Sequence, residues 1–535
     1  MTALEVFEPR DPLPPLFAAP ANWLHSTTRS YVIEQEVLLA VGERYDQALV
    51  DRTARNLRAL SQLSLVLVVA LQGSAPDRVR LLVITKDVWS LRLNSSWVFE
   101  NGRLLQLVLQ PSESNLFGTH QLLLGQFILD PATISLGGQY SFPRIARSRV
   151  SASAAADVIL NRDTHKAEGS YGSVVAGLPL YSTRTEWAWS AAFSWDREIR
   201  RRFVGGLATD FDAASGTCVV PSAAATFPDA SRCQYRRSVT SATASLTLSF
   251  GVDFKRDLTL AFLASRSVFN PFDLSPLPAA DQAAFLKAVL PTSDSQVGPS
   301  LELHAYSSVY LDLLDFDTLG LTENVQRGPD LTLRVRPITT ALGSSRNFVD
   351  LFAGAQYTLP LLGDGLARAQ VQSDTELASG DLPDASLDAS LRLVSPRLGV
   401  GRVVFDVRLL DRYRNHLNLK SALGGDTRLR GYPAGLFVGA NLALGNLEFR
   451  SRPIQIFAVQ LGAVVFADAG DAFDEFDRLR LKHSAGFGLR WVFPQFQRYV
   501  MRLDLGFPLT RTASVAPGRP DVVITFAQAL PALGN

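Results

Sequence analysis

Along most of this chain the hydrophobic positions recur every second residue. In VTSATASLTLSF (239–250) one face carries Ala242, Ala244, Leu246, Leu248 and Phe250, and the other Ser241, Thr243, Ser245, Thr247 and Ser249. YVMRLDLGF (499–507) likewise sets Tyr499, Met501, Leu503, Leu505 and Phe507 against Arg502, Asp504 and Gly506. Such alternation marks a strand with two unlike faces. The wet face of a soluble sandwich would alternate too, but would be rich in Lys and Glu. Here the polar face is Ser, Thr, Gly and Arg, and lysine is scarce. Trp97, Phe99, Trp187, Trp189, Trp195 and Tyr499 stand near strand ends, where a membrane barrel places its aromatic girdle.

The strand candidates are joined alternately by short connections, as at 115–118, 182–185 and 253–257, and by long ones, as at 198–238 and 271–298. Short turns on one side and long loops on the other predict an antiparallel barrel standing in a membrane. From Trp89 to Leu530 about twenty segments qualify as strands. Several of them are expected to be loop hairpins or split strands.

Residues 1–87 follow another rhythm. LEVFEP (4–9) reads as a strand, and 32–60 as a short helix followed by a longer one from about Asp46. In the longer helix Leu49, Thr53, Asn56, Leu57 and Leu60 fall near the 3.6 spacing, with Asp46 a candidate N-cap. SLVLVVALQG and DRVRLLVITKD then read as strands around a turn at SAP. The order β-α-α-β-β predicts a small α+β module ahead of a barrel at 88–535.

Composition narrows the picture without deciding it. The chain has 535 residues, 47% hydrophobic and 19% charged, with a net charge of +1. That balance argues against a nucleic-acid partner. The mean hydropathy of +0.10 suits an enzyme or a membrane barrel equally. The longest apolar run, LSLVLVVAL (63–71), falls far short of the roughly 18–20 residues of a spanning helix. The N-terminus shows no basic segment followed by an apolar core. If the barrel is exported, further sequence with a signal peptide is expected upstream. Cys218 and Cys233 flank a short polar stretch and form a candidate disulfide of an oxidising compartment; two unrelated free thiols are the alternative.

The motifs sharpen this. GGDTRLRGYPAGLFVG (424–439) places Arg430, Gly431 and Tyr432 in a glycine-punctuated segment. GNLEFR (445–450) follows with Glu448, and FADAG (466–470) with Asp468 and Gly470. Parity puts Asn446, Glu448 and Asp468 on the inner face, with Leu447 and Phe449 facing lipid. An arginine in a lumen of reduced dielectric needs a planar carboxylate partner. These motifs resemble those of the BamA/TamA superfamily of outer-membrane assembly factors and transporters. In that superfamily the arginine loop, here around 424–437, folds back into the lumen and is partnered by the Asp and the Glu. ESNLFG (113–118) and GQYSFPR (138–144) are similar to its second periplasmic turn and the strand end that follows. Residues 1–87 resemble a POTRA domain, and DVVITFAQAL (521–530) the last barrel strand. The sequence departs from the pattern in ending that strand at Leu530, in carrying one POTRA-like module, and in its excess of strand candidates over sixteen.

The resemblance implies a bacterial outer-membrane antiparallel barrel of about 16 strands with its POTRA module in the periplasm. It would insert outer-membrane proteins or move polypeptides across the membrane. Its partners would be the lipid bilayer, unfolded outer-membrane or secreted chains, and accessory periplasmic or lipoprotein subunits. The seam between first and last strands is expected at Trp89, Phe99, Ile524, Phe526 and Leu530. The alternatives are a secretion pore dedicated to one partner, and a surface-antigen barrel that transports nothing. No catalytic constellation is present: no G-x-S-x-G, H-E-x-x-H or P-loop occurs. The six histidines are scattered, and DAGDAFDEFD (468–477) lacks the order of a calcium loop. The chain is therefore expected to be no enzyme and to hold no metal or cofactor.

Overall fold

The structure is a computed structural model that describes residues 2–4, 26–58, 60, 62–87, 89–145, 148–181, 185–221, 228–457, 459–493 and 499–531. Most of the expected strand LEVFEP and the turn STRT lie outside these residues.

Helices α1 (Ser30–Glu34) and α2 (Gln47–Arg58) pack on a sheet ordered Thr2–Leu4, Val79–Asp87, Leu63–Gln72. Ile33, Leu57, Leu63, Val66 and Val83 form its small core. Thr53 and Leu57 are fully buried, as the helical spacing requires. On the opposite face Leu65, Leu67, Val69 and Leu71 stand exposed. Leu63–Gln72 is an edge strand, with Val79–Asp87 as its one neighbour among the described residues.

The rest is a closed antiparallel barrel of 20 strands, running from Leu91–Glu100 to Asp521–Phe526. Ile454–Ile456 continues the strand Asn441–Ser451 beyond Pro453 and is not counted separately. The expected sixteen is thus corrected to twenty. The wall is wider than expected because twenty segments find ladder partners on both edges. Four two-stranded pairs sit in connections among the described residues: Phe203–Val204 with Leu207–Ala208, Asp210–Asp212 with Thr217–Val219, Tyr310–Leu314 with Thr322–Gln326, and Ser421–Leu423 with Phe437–Gly439.

The alternation is realised as two surfaces. Leu246, Leu248, Phe250, Leu260, Phe262, Leu301, Leu303, Leu331, Leu333 and Val335 are exposed on adjacent strands of a closed barrel. So large a contiguous apolar belt is the surface a bilayer covers. The inner face carries Ser, Thr, Gln, Arg and Asp.

The small module meets the barrel at the turn after the second strand. The Arg29 amide donates to the Gly118 carbonyl at 2.9 Å, and the Asn115 amide nitrogen to the Ser26 carbonyl at 2.7 Å. A Cβ on Gly118 would stand 2.2 Å from the Thr27 carbonyl oxygen, so this contact requires glycine. Thr28 binds His120 through its hydroxyl at 3.0 Å and Asp87 through its amide at 2.7 Å. Glu36 and Arg144 add an ion pair.

The long loops gather at the opposite end. There a disulfide joins Cys218 to Cys233 and packs with Phe211, Leu274 and Phe285, the last on helix α3 (Ala279–Val289). The Asn418 side chain donates to the last carbonyls of α3, including Leu290 at 2.8 Å. This ties the cap to the loop 416–440.

Candidate functional site

The loop 416–440 leaves the end of the strand Gly401–Asn415 and folds into the lumen. Gly424, Gly425 and Gly431 have φ of +112°, +84° and +88°, the left-handed region where glycine is at little cost. Gly431 also lies against Gly506, where an added Cβ would come within 2.5 Å of the Gly431 nitrogen. The loop therefore touches the wall backbone to backbone. Leu429 and Tyr432 are fully buried among Leu410, Leu423, Leu442 and Leu444. The Tyr432 hydroxyl reaches the carbonyls of His483 and Thr510 at 2.9 and 3.0 Å. Gly470 leaves the space that Leu423 and Leu444 occupy.

Next to this apolar anchor sits Arg430, 1% exposed. Its Nε and Nη2 donate to the two oxygens of Asp468 at 2.8 Å each, and its backbone amide adds a third bond at 3.2 Å. Nη1 lies 2.7 Å from Glu448 Oε1, an ion contact without hydrogen-bond alignment. The guanidinium stacks 3.5 Å from the centre of the Phe466 ring. Asn446 donates to Asp468 at 2.8 Å. Asn446, Glu448 and Asp468 are buried inside the barrel while Leu447 and Phe449 face out, which is what strand parity demands.

The network continues past the residues that sequence reasoning singled out. Glu448 Oε2 accepts from Arg450 Nε at 2.9 Å. Arg450 donates to the Phe316 carbonyl at 3.0 Å and lies 3.5 Å from Asp317. Phe316 and Asp317 belong to the tip of the hairpin Tyr310–Gln326, which enters the lumen from the end that carries the module. Its tip is stiffened by Glu323, whose carboxylate accepts from the amides of Phe316, Asp317 and Thr318 at 2.7–3.1 Å. Leu313, Phe316 and Val325 pack with Leu366, Val394, Val404 and Leu530. A second knot lies beside the first. Arg490 and Arg502 share Asp504 at 2.6 and 2.8 Å, and Arg502 also holds the Asp426 carbonyl of the lumenal loop.

Glu448 thus stands between two insertions: Arg430 from the loop end and Arg450, which grips the hairpin from the module end. Arg450, Arg490 and the hairpin were missed. Their signal was present, since each arginine falls on the inner parity of its strand, but parity does not say which groups meet inside.

At the seam Val523 pairs with Glu100 and Ile524 with Phe99, and the Trp97 and Phe526 rings meet edge to face at 4.6 Å. The Ala434 amide of the lumenal loop donates to Glu100 at 2.7 Å. Two expected seam residues lie elsewhere. Trp89 precedes the first strand, which starts at Leu91. Leu530 is corrected to a lumenal residue. The last strand ends at Phe526, Ala527 takes φ +63°, and the chain turns inward to bury Leu530 against the hairpin. There the Arg392 guanidinium meets the Pro531 carbonyl.

No protein-family model matches the chain, and no curated protein matches it in sequence. Among solved structures it is similar to BamA from Haemophilus ducreyi lacking POTRA domains 1–3, at TM-score 0.44 and 11% identity over 94% of this chain and 82% of that one. It is similar also to CdiB from Acinetobacter baumannii, at 0.42 and 12% over 94% and 72%. CdiB from Escherichia coli gives 0.43 and 12% over 94% and 74%. Likeness of this size assigns neither a function nor a residue role.

Proposed function

We propose that this chain is an outer-membrane barrel of the BamA/TamA superfamily, with residues 1–87 a single POTRA module in the periplasm. In this reading it inserts outer-membrane proteins or moves polypeptides across that membrane, with accessory periplasmic or lipoprotein subunits as further partners. The observation that carries the reading is the seam. Every neighbouring ladder runs for six positions or more, as from Met501–Phe526 to Gly506–Asp521, whereas the closing one pairs Val523 with Glu100 and Ile524 with Phe99 and is extended by a single backbone bond, from the Asn101 amide to the Val522 carbonyl at 2.8 Å. Backbone groups left unpaired in lipid cost several kcal/mol each, so an incoming strand that pairs there is stabilised by the same groups. The strand Leu63–Gln72, at the edge of its sheet among the described residues, offers strand addition on the way. Arg430, Gly431, Tyr432, Glu448, Asp468 and Gly470 act as a lock, keeping the loop seated against the seam through Ala434 and Glu100.

A secretion pore for one partner is the second reading. It is favoured by a polar cavity of about 360 Å³ beside the hairpin, lined by Tyr310, Asn324, Gln326, Gln370 and Gln372. The test joins the seam covalently. Phe99→Cys with Ile524→Cys, oxidised in cells, is expected to stop function and to recover it on reduction. Full function with the seam closed removes the lateral route and favours the lumenal path.

A further inference from the structure

Three neighbouring arginines on the outer surface have no carboxylate partner among the described residues. Arg197, Arg236 and Arg266 lie on adjacent strands, Trp187–Arg201, Gln234–Phe250 and Phe254–Pro271. All three are exposed, and their parity is that of the outward-facing Phe193, Leu246 and Phe262. The register arranges them around one serine. Arg197 is directly opposite Ser238, Arg236 is two residues before it on the same strand, and Arg266, opposite Thr240, is its diagonal neighbour on the other side. Positions so related have Cβ atoms within about 8 Å, a distance arginine side chains span easily. None of the three forms an ion pair among the described residues. The nearby acids are engaged elsewhere: Asp196 and Glu198 with Arg237, and Glu168 with Arg201. Arg236 is braced over the Phe272 ring at 4.2 Å.

Their height along the barrel gives them meaning. On the strand Phe254–Pro271 the outward residues between Arg256 and Arg266 are Leu258, Leu260, Phe262 and Ala264. Ten residues of strand tilted by about 40° rise roughly 25 Å, the height of the apolar band of an outer-membrane barrel. The three arginines therefore stand just above the hydrocarbon at the end bearing the long loops, with Trp195 beside Thr240 at the boundary. Uncompensated guanidinium groups gathered over hydroxyls at headgroup depth suit a phosphate ester.

We infer that Arg197, Arg236 and Arg266, with the Ser238 and Thr240 hydroxyls, bind the net-anionic phosphate headgroup of a lipid in the leaflet at the loop-bearing end of the barrel. The inference rests on the barrel spanning a bilayer and is independent of what it transports. The full chain in neutral-detergent micelles is titrated with phosphatidic acid, with phosphatidylcholine and with inorganic phosphate. Phosphatidic acid is expected to bind, about fivefold more weakly for each arginine removed and roughly 100-fold more weakly in Arg197→Gln/Arg236→Gln/Arg266→Gln. Arg256→Gln, at the other edge of the band, leaves the affinity unchanged. Equal binding of phosphatidylcholine, or an unaltered triple variant, overturns the inference. Inorganic phosphate binding as tightly as the lipid, with the same loss in the triple variant, reassigns the ligand and overturns it too. Should the triple variant not fold, Ser238→Phe, which fills the hollow without removing charge, is expected to weaken binding instead. A wild-type chain not retained in bilayers would defeat the membrane reading itself, while a retained chain that ignores phosphatidic acid defeats only this site.

Discussion

Removing Arg430 tests the lumenal network most directly. In Arg430→Ala the barrel wall keeps its ladders, so the loss falls on the seating of the loop 416–440. Asp468 loses the two guanidinium donors and retains the backbone amide of residue 430 and Asn446 at 2.8 Å, while Glu448 still has Arg450 at 2.9 Å. Leaving a buried carboxylate uncompensated costs about 3–5 kcal/mol. The undocked fraction of the loop should then rise by roughly a thousandfold. The apolar anchor of Leu429 and Tyr432 remains, so the loop loosens without leaving the barrel. Asp468→Ala is expected to cost less, about 2–3 kcal/mol, since Arg430 keeps Glu448. Arg430→Lys falls between, because an ammonium cannot serve both carboxylates in the plane of a guanidinium. The assay is protease cleavage within 416–440 on the folded barrel, with heat-dependent gel mobility as the control for folding. Because Glu448 also orders Arg450, cleavage within 308–327 should increase as well. In a double-mutant cycle Arg430→Ala and Arg450→Ala should deviate from additivity by more than about 0.5 kcal/mol. Cleavage indistinguishable from wild type in Arg430→Ala, with the barrel folded, would refute the reasoning.

Other consequences are more local. Gly506→Ala places a Cβ 2.5 Å from the Gly431 nitrogen and should unseat the loop by about 1–3 kcal/mol, visible as the same proteolysis. Reducing Cys218–Cys233, which closes a loop with a sequence separation of 15, should destabilise the cap by about 3 kcal/mol and speed exchange of α3 amides while the wall stays protected. At the junction, burial pushes the His120 imidazole down from 6.5 to about 4. The docked state thus holds fewer protons than the undocked one. Docking is complete above pH 6.5 and weakens as pH falls towards 4. A fluorescence pair spanning module and barrel should report this loosening, and a signal flat from pH 7 to 4.5 would contradict it.

The alternation of single residues was enough to reveal a two-faced wall, and its parity turned Glu448 and Asp468 inward before any partner was known. Composition and motif together marked Arg430 as a residue that needs carboxylates. The small module was also legible, because a 3.6-residue rhythm giving way to period 2 is a local signal. What local rhythm cannot carry is the identity of a neighbour. Periodicity does not separate the wall strand Gly328–Ile338 from the lumenal strand Tyr310–Leu314, since it records that a segment has two faces and not what each face meets. Twenty wall strands, the inward hairpin, the burial of Leu530, the thin seam and the bridge from Arg430 through Glu448 to Arg450 were decided by the tertiary structure. The reason is physical: ladder bonds and buried ion pairs join groups far apart in the chain, and their free energy exists only once the barrel has closed around them.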